Sequence, residues 1–339
     1  MLRWIQRLAI TAAVILVLAL LTGFVYEQGA RRSVAQAFPP PGKLVEVDGK
    51  RSHLDCRGEG SPTVILEAGI NEGGSQTWEL VRPAIEPLSR VCAYDQAGMM
   101  WSERRDRPRD ADHIAEDLHA LLAAARESPP YVMVGHSLGG LMIRVFADHY
   151  SDEVAGFVFV DSSHPEQNQR FPSDVLDVMA FPSPLLLRAI AALGILRLTA
   201  PATPSALPPA VSEAIHRYLP QSMTGIADVI AAIDDIFTQA QPTGPFGDLP
   251  TVVLTAGRFL EELPYQMDAA TTARLRDVWS EIWPQLQAEL TALSTNTDWR
   301  VIEGASHYIP RDAPEAIAVA VSDVVAAHRE AAPVRHAER

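Results

Sequence analysis

The chain has 339 residues, of which 47% are hydrophobic and 21% are charged, and its formal net charge is −14. This composition provides enough apolar residues for a sizeable core and excludes a mainly disordered protein. The acidic surplus argues against a nucleic-acid partner, because binding phosphates requires clustered lysine and arginine.

The N-terminus differs from the rest of the chain. Arg3 and Arg7 precede an uncharged apolar run from Leu8 to Val25, which is long enough to span a membrane and long for the core of a signal peptide. We predict that residues 1–30 form an uncleaved transmembrane anchor. The two early arginines favour a cytoplasmic N-terminus with the remainder of the chain outside the cytoplasm. Secretion after signal cleavage is the main alternative, and a buried core helix is the other.

The segment after the anchor contains Pro39, Pro40 and Pro41, which predict an extended stalk over residues 31–42. Two short strands follow, Lys43–Val47 and Arg51–Cys56. They are joined through Asp48-Gly49, a typical hairpin turn, so an antiparallel pair is expected here.

From residue 63 onward, apolar strand segments alternate with amphipathic helical segments. This alternation predicts a mostly parallel sheet covered by helices on both faces. The predicted strands are Thr63–Glu67, Val91–Tyr94, Tyr131–Val134, Gly156–Val160, Leu249–Ala256 and Trp299–Ile302. The predicted helices include Trp78–Leu88, His113–Ala125 and Pro314–Ala327.

The pattern changes between residues 166 and 247, where proline-punctuated apolar helical segments replace the strands. Pro184–Leu198 and Gln221–Phe237 are examples. The apolar side chains of the first of these segments suit either a lipophilic substrate site or packing of the insertion onto the sheet, and both interpretations stay open.

The sequence Gly135-His136-Ser137-Leu138-Gly139 directly follows the strand Tyr131–Val134 and precedes apolar residues at helical spacing. A Gly-x-Ser-x-Gly turn between strand and helix forces its serine toward positive φ, and the glycines avoid collisions with the neighbouring turn. Ser137 is therefore a candidate nucleophile, and the amide of Leu138 is a candidate donor to a developing oxyanion. The alternative is an ordinary strand-helix connection whose serine caps the helix.

The chain from about Leu44 to Ala327 resembles the serine esterases and lipases of the α/β-hydrolase superfamily. The segments that carry the resemblance are Val64–Gly69, Ala93–Gly98, the Ser137 turn, Val158–Pro165 and Gly304–Tyr308. The resemblance implies an α/β-hydrolase fold with a mostly parallel eight-stranded sheet, helices on both faces and a helical cap insertion. The core then comprises residues 43–165 and 248–330, the cap comprises residues 166–247, and residues 331–339 form a disordered tail.

A serine hydroxyl needs a base that removes its proton and a carboxylate that fixes the tautomer of that base. His307 matches the family's histidine loop, which makes it the candidate base rather than a surface histidine. The commonest family position for the acid holds Leu260, which cannot serve. Asp161, at the end of the strand after the Ser137 turn, is the preferred candidate.

Three other carboxylates stay open as the triad acid: Glu261, Glu262 and Asp268. The resemblance also implies a second oxyanion donor, the backbone N–H of Ile70; the alternative is that Gly69 is simply a turn. In the same fold, the strands that hold Cys56 and Cys92 are neighbours. The resemblance therefore implies a possible disulfide, with two inert buried thiols as the alternative.

These expectations combine into a membrane-anchored serine hydrolase, a carboxylesterase that acts on an apolar ester through an acyl-enzyme intermediate. A lipase, thioesterase or amidase using the same mechanism, and a non-catalytic exported binding module, are the alternatives. A serine nucleophile argues against epoxide hydrolases and haloalkane dehalogenases, whose chemistry needs a carboxylate. The partner is a small-molecule ester, and neither a cofactor nor a metal is expected. The sequence makes no prediction of oligomeric state.

Overall fold

The structure, a computed structural model, describes residues 2–200, 206–259 and 268–331. Its eight strands form one sheet in the order β1-β2-β4-β3-β5-β6-β7-β8. The strands are β1 (Lys43–Val47), β2 (Lys50–Arg57), β3 (Thr63–Glu67), β4 (Val91–Tyr94), β5 (Tyr131–His136), β6 (Val154–Val160), β7 (Thr251–Ala256) and β8 (Thr297–Ile302). Strand β2 pairs antiparallel with β1 and β4, and the remaining pairs are parallel.

Helices precede, connect and follow these strands. They are α1 (Leu2–Ala37), α2 (Arg82–Ile85), α3 (Ala111–Ala125), α4 (Gly139–His149), α5 (Gln167–Arg170), α6 (Ser173–Met179), α7 (Pro184–Ala192), α8 (Ile195–Thr199), α9 (Pro209–Ala231), α10 (Ile233–Ala240), α11 (Ala269–Asp277), α12 (Trp283–Leu290), α13 (Ile309–Asp312) and α14 (Pro314–Ala331). The helical insertion, residues 166–247, contains α5 to α10 and lies between β6 and β7.

Strands β3, β5, β6 and β7 are buried at every residue, because helices cover both faces of the sheet. On one face, α3, α4 and α10 pack against side chains such as Ile65, Met133 and Phe157. On the other face, α14 packs against side chains such as Val134 and Val158. The predicted sheet with helices on both faces is confirmed.

Cys56 and Cys92 lie directly opposite each other in the antiparallel pairing of β2 with β4. The structure joins them in a disulfide. The bond closes a loop with a sequence separation of 36 and ties the N-terminal hairpin to the parallel part of the sheet.

The predicted helix Trp78–Leu88 is wrong for most of its length. The structure has a 3₁₀ turn at Gly74–Trp78 and only the four-residue α2 at Arg82–Ile85. Pro87 explains the short length, because proline lacks the N–H that would continue the helix and restricts the residue before it. The apolar spacing that suggested a helix instead buries Trp78 and Ile85 against the sheet.

The extended stalk predicted for residues 31–42 is also wrong in part, because α1 continues to Ala37. Val34 is buried, and Phe38 packs with it against Trp101 and Tyr218. The carbonyl of Phe38 accepts hydrogen bonds from Trp101 Nε1 at 2.9 Å and from the Tyr218 hydroxyl at 3.1 Å. This segment therefore packs on the folded domain, and residues 38–42 are the non-helical part of the predicted stalk.

Two helical segments of the described chain are long and apolar enough to cross a membrane, judged by length and composition alone. The first is Leu2–Ala37, whose most apolar window has a mean hydropathy of 2.7 and is not buried. The second is Ser173–Ala192, with a mean hydropathy of 1.6 and 17% of its window buried. At the other terminus, α14 ends at Ala331, and the rest of the predicted tail, 332–339, lies outside the described residues.

Candidate functional site

Ser137 lies in the tight turn between β5 and α4 and has a φ of 55°. The neighbouring glycines are required by close contacts. A Cβ added at Gly135 would lie 2.7 Å from the carbonyl oxygen of Gly139, and one added at Gly139 would lie 2.6 Å from the carbonyl oxygen of Glu67. The turn therefore holds the serine in a conformation that side chains seldom adopt and presents its hydroxyl at the end of the sheet.

His307 follows β8 and its ring lies between Ser137 and Asp161. Its Nε2 is 3.0 Å from Ser137 Oγ, and its Nδ1 is 2.6 Å from Asp161 Oδ2. With the proton on Nδ1 donated to the carboxylate, Nε2 is left as an acceptor for the serine hydroxyl. The structure thus brings the three residues into one hydrogen-bonded chain.

Asp161 is fully buried at the end of β6 and has a φ of 41°. Its second oxygen, Oδ1, accepts hydrogen bonds from the Ala256 amide and from Trp283 Nε1, each at 2.9 Å. These donors hold the carboxylate in place with Oδ2 toward His307.

Asp268 is the other candidate acid within the described residues, and it makes no hydrogen bond to His307 there. Asp268 is exposed and caps α11, because its side chain accepts a hydrogen bond from the Thr271 amide at 2.8 Å. Glu261 and Glu262 lie outside the described residues, as does Leu260.

The loop after β3 lies directly against the Ser137 turn. A Cβ added at Gly69 would be 2.8 Å from Ser137 Cβ and 3.3 Å from the Leu138 amide nitrogen. Ile70 follows in this loop. Within the described part of the chain, the amides of Ile70 and Leu138 donate to no protein acceptor, so both are available to an oxygen bound beside Ser137.

A family model described as alpha/beta hydrolase fold matches residues 62–189, which include the Ser137 turn and Asp161. Residues 62–189 are therefore similar to α/β hydrolases, and the chain has the α/β-hydrolase fold. The uncharacterized protein C23C11.06c of Schizosaccharomyces pombe is 27% identical over 310 residues, covering 81% of this chain but only 54% of the relative.

Solved structures show the same fold at low identity. An esterase from Thermogutta terrifontis superposes with a TM-score of 0.54 and 18% identity, covering 84% of this chain and 98% of the esterase. The epoxide hydrolase CorEH superposes with a TM-score of 0.57 and 19% identity, covering 84% and 98% of the two chains. Enzymes with different chemistries therefore share this architecture, and the fold alone does not select among them.

His136 supports the loop of His307 from beneath. Its Nε2 donates a hydrogen bond to the backbone carbonyl of His307 at 2.8 Å. Burial, aided by the nearby His307, lowers the pKa of His136 to about 3, so the ring stays neutral. The sequence places His136 beside Ser137, but only the fold shows that it holds the loop of His307.

Three aromatic rings surround His307 and were missed by sequence reasoning. The ring centroids of Trp279, Trp283 and Tyr308 lie 6.1, 6.4 and 5.7 Å from that of His307. Trp279 belongs to a short π-helical turn, Val278–Ile282, just before α12. No motif marks these tryptophans, because their position depends on how the segment after β7 folds back over the sheet.

Glu67 ends β3 beneath the Ser137 turn and is fully buried. Its carboxylate accepts hydrogen bonds from the Tyr94 hydroxyl and, at 2.7 Å, from Gln96 Nε2. Burial outweighs these bonds and raises the pKa of Glu67 to about 7. The carboxyl group beneath the Ser137 turn therefore changes charge near neutral pH.

Two groups in the described chain have the composition of a metal site, but neither includes Ser137 or His307. One contains Cys56 and Cys92, whose sulfurs are joined to each other. The other is His164, Glu166 and Glu289, where Arg170 already pairs with Glu289 at 2.6 Å.

Proposed function

We propose that the hydrolase is a serine carboxylesterase in which Ser137 is the nucleophile, His307 the base and Asp161 the orienting carboxylate. The observation that carries the proposal is the continuous contact from Ser137 Oγ to His307 Nε2 at 3.0 Å and from His307 Nδ1 to Asp161 at 2.6 Å. This arrangement supplies the base and the fixed tautomer that a serine nucleophile needs.

In the proposed reaction, Ser137 Oγ attacks the ester carbonyl while His307 Nε2 takes the hydroxyl proton. The amides of Leu138 and Ile70 donate to the oxyanion of the tetrahedral intermediate. The proton passes from His307 to the leaving alkoxide, which departs as the alcohol. Water, deprotonated by His307, then attacks the acyl-enzyme and releases the acid together with free Ser137.

Serine at the nucleophile position favours acyl transfer over the opening of an epoxide. Epoxide hydrolysis in this mechanism requires a carboxylate that forms an alkyl-ester intermediate, whereas residue 137 carries a hydroxyl. The positive φ of Ser137 and the two oxyanion donors suit a carbonyl substrate.

The surroundings of His307 favour an apolar ester. Trp279, Trp283 and Tyr308 present aromatic surface beside the proposed base, and the insertion 166–247 is proposed to act as a cap over a core of residues 43–165 and 248–330. The same chemistry also cleaves thioesters, amides and lipid esters. Hydrolysis rates measured on a panel of these substrates rank the classes.

We also propose that residues 1–30, within α1, anchor the enzyme in a membrane with its catalytic domain outside the cytoplasm. The apolar run of α1 supports this proposal, because its side chains are exposed over the whole span. Cleavage of this segment as a signal peptide is the competing outcome.

Labelling with a fluorophosphonate probe tests the proposed activity. We expect wild type to be labelled and to hydrolyse p-nitrophenyl esters, and Ser137→Ala to do neither. Ser151→Ala is the matched control, because Ser151 is an exposed serine outside the site. Absence of labelling of the wild type, while a reference esterase is labelled, would favour a non-catalytic binding module.

A further inference from the structure

The helical insertion carries an exposed apolar surface. Apart from α1, exposed large apolar side chains of the described chain concentrate in a single stretch, Met179–Leu198, and the others are scattered. We call this surface the insertion face, which consists of Met179, Phe181, Leu185, Leu186, Ile195 and Leu198. Leu185 and Leu198 are each 75% exposed. Clustered exposure of this kind marks a surface that contacts another apolar phase.

Side chains of this segment divide between the core and the surface. Leu187 and Ala191 point inward and pack α7 against the domain, as one of the two interpretations of the sequence expected. Leu185 and Leu186 point to solvent and cover no part of the core.

Helix α1 packs against the corner between α7 and α8. A Cβ added at Gly23 would lie 2.7 Å from the carbonyl oxygen of Leu193, and one added at Gly194 would lie 3.1 Å from the ring of Tyr26. These contacts place the corner beside the end of the apolar run of α1. Ile195 of the insertion face directly follows this corner, so the insertion face adjoins the proposed membrane span.

A buried ion pair fixes this arrangement. Glu27 is fully buried, and its carboxylate accepts hydrogen bonds from Arg197 Nε of α8 at 2.6 Å and from Arg31 Nε at 2.8 Å. A buried carboxylate without such partners would be strongly destabilising. Helix α1 and the insertion are thus held together as one unit by Glu27 and its two arginines.

The same unit touches the edge of the sheet where Ser137 lies. Ile215 of α9 lies 3.3 Å from a Cβ added at Gly73, in the loop after β3 that also contains Ile70. Tyr218 of α9 donates to the carbonyl of Phe38, directly after α1. The proposed site and the insertion face therefore lie on the side of the molecule at which α1 joins the folded domain.

We propose that the insertion face lies in the interfacial layer of the bilayer that α1 spans, and that the enzyme takes an amphiphilic ester directly from this bilayer. The inference rests on the proposed anchor and the proposed ester hydrolysis. Its occupant is the lipid bilayer, because the face adjoins the apolar surface of α1 and helices that lie in an interface bury an apolar side in this way.

A site-specific fluorescent label tests the location without using activity. The native chain has only two cysteines, which are joined to each other, so an added cysteine is the only free thiol. Leu185→Cys in the full chain is labelled with an environment-sensitive dye and reconstituted into phosphatidylcholine vesicles with brominated acyl chains. Leu16→Cys in α1 and Val319→Cys in α14 are the matched controls, since all three side chains are exposed.

We expect dye at residues 16 and 185 to be quenched by the brominated lipid, with at least a two-fold loss of emission, and dye at residue 319 to be unaffected. Quenching at 16 but not at 185 would overturn the inference while leaving the anchor intact, and quenching at neither would overturn the anchor. Efficient bismaleimide cross-linking of Leu185→Cys into dimers would show that a second copy covers the face, which also overturns the inference.

A ratio of activities tests the route of the substrate. The full chain hydrolyses a long-chain ester embedded in vesicles and a short water-soluble ester, and the ratio of the two rates is compared between variants. We expect Leu185→Glu/Leu186→Glu to lower this ratio about 10-fold and Val319→Glu to leave it unchanged. An unchanged ratio in the double variant would overturn delivery from the bilayer, whereas inactivity of wild type on both esters would instead refute the proposed hydrolysis.

Discussion

The Nε2 atom of His136 donates a hydrogen bond to the backbone carbonyl of His307, at 2.8 Å. The residue beside the proposed nucleophile thereby holds the loop of the proposed base. This contact couples the positions of Ser137 and His307 through the backbone as well as through their side chains.

We predict that His136→Leu lowers kcat about 5-fold with little change in KM, because losing one buried hydrogen bond worth about 1 kcal/mol loosens the His307 loop. Gln places an amide N–H near the position of Nε2, so His136→Gln is expected to recover most of kcat. Steady-state kinetics on a soluble ester measures both variants. Equal loss of kcat in both variants would contradict a positioning role for the N–H.

Asp161→Asn is predicted to lower kcat by about 10⁴, because an amide that donates to His307 Nδ1 fixes the wrong tautomer. Asp268→Asn is the control and is expected to retain full activity, since Asp268 is exposed and caps α11. Glu261→Gln and Glu262→Gln extend the comparison to the two carboxylates outside the described residues. If Asp161→Asn keeps near wild-type kcat and one of these loses it, the assignment of the acid is wrong.

Glu67→Gln is predicted to change how stability depends on pH. The pKa of Glu67 is about 7 in the folded protein, above its ordinary value of 4.5. Its contribution to stability is therefore fully present below the ordinary value and is lost as the pH rises through about 7.

The variant has no carboxyl group to ionise, so its free energy of unfolding relative to wild type should rise by up to about 3 kcal/mol between pH 4.5 and pH 8. Urea unfolding at both pH values measures this difference. Parallel stability curves for the two proteins would show that Glu67 does not titrate in this range.

Removal of the disulfide is predicted to destabilise the fold. The bond between Cys56 and Cys92 closes a loop with a sequence separation of 36, for which a loss of about 2–4 kcal/mol is expected in the double variant Cys56→Ala/Cys92→Ala. Urea unfolding of this variant and of wild type measures the loss. Thiol counting in denaturant should find no free thiol until reductant is added, and two thiols in the unreduced wild type would refute the bond.

Short motifs made the sheet and two members of the proposed site predictable. The turn around Ser137 and the loop around His307 are each defined by a few consecutive residues. Apolar strand segments that alternate with amphipathic helical segments indicate the sheet without knowledge of tertiary contacts. The preference for Asp161 needed the family resemblance, because a carboxylate at the end of a strand has many structural roles.

Contacts between distant segments could not be predicted in this way. Trp283 donates to Asp161 from a position 122 residues away in sequence, and His136 reaches His307 across 171 residues. The prediction of an extended stalk over residues 31–42 was wrong in part for a related reason. Local composition suggested an extended chain, but packing of Val34 and Phe38 against the domain favours the helix.

The ion pair of Glu27 with Arg197 gives the N-terminal helix a structural role besides the proposed membrane anchoring. A shortened form that lacks residues 1–30 would lack Glu27, and the guanidinium of Arg197 would lose its carboxylate partner. The corner between α7 and α8 would then be free to shift, and Leu193 and Gly194, which now lie beside Gly23 and Tyr26, would face water. Activity measured on such a shortened protein would therefore describe a molecule whose insertion has lost these contacts.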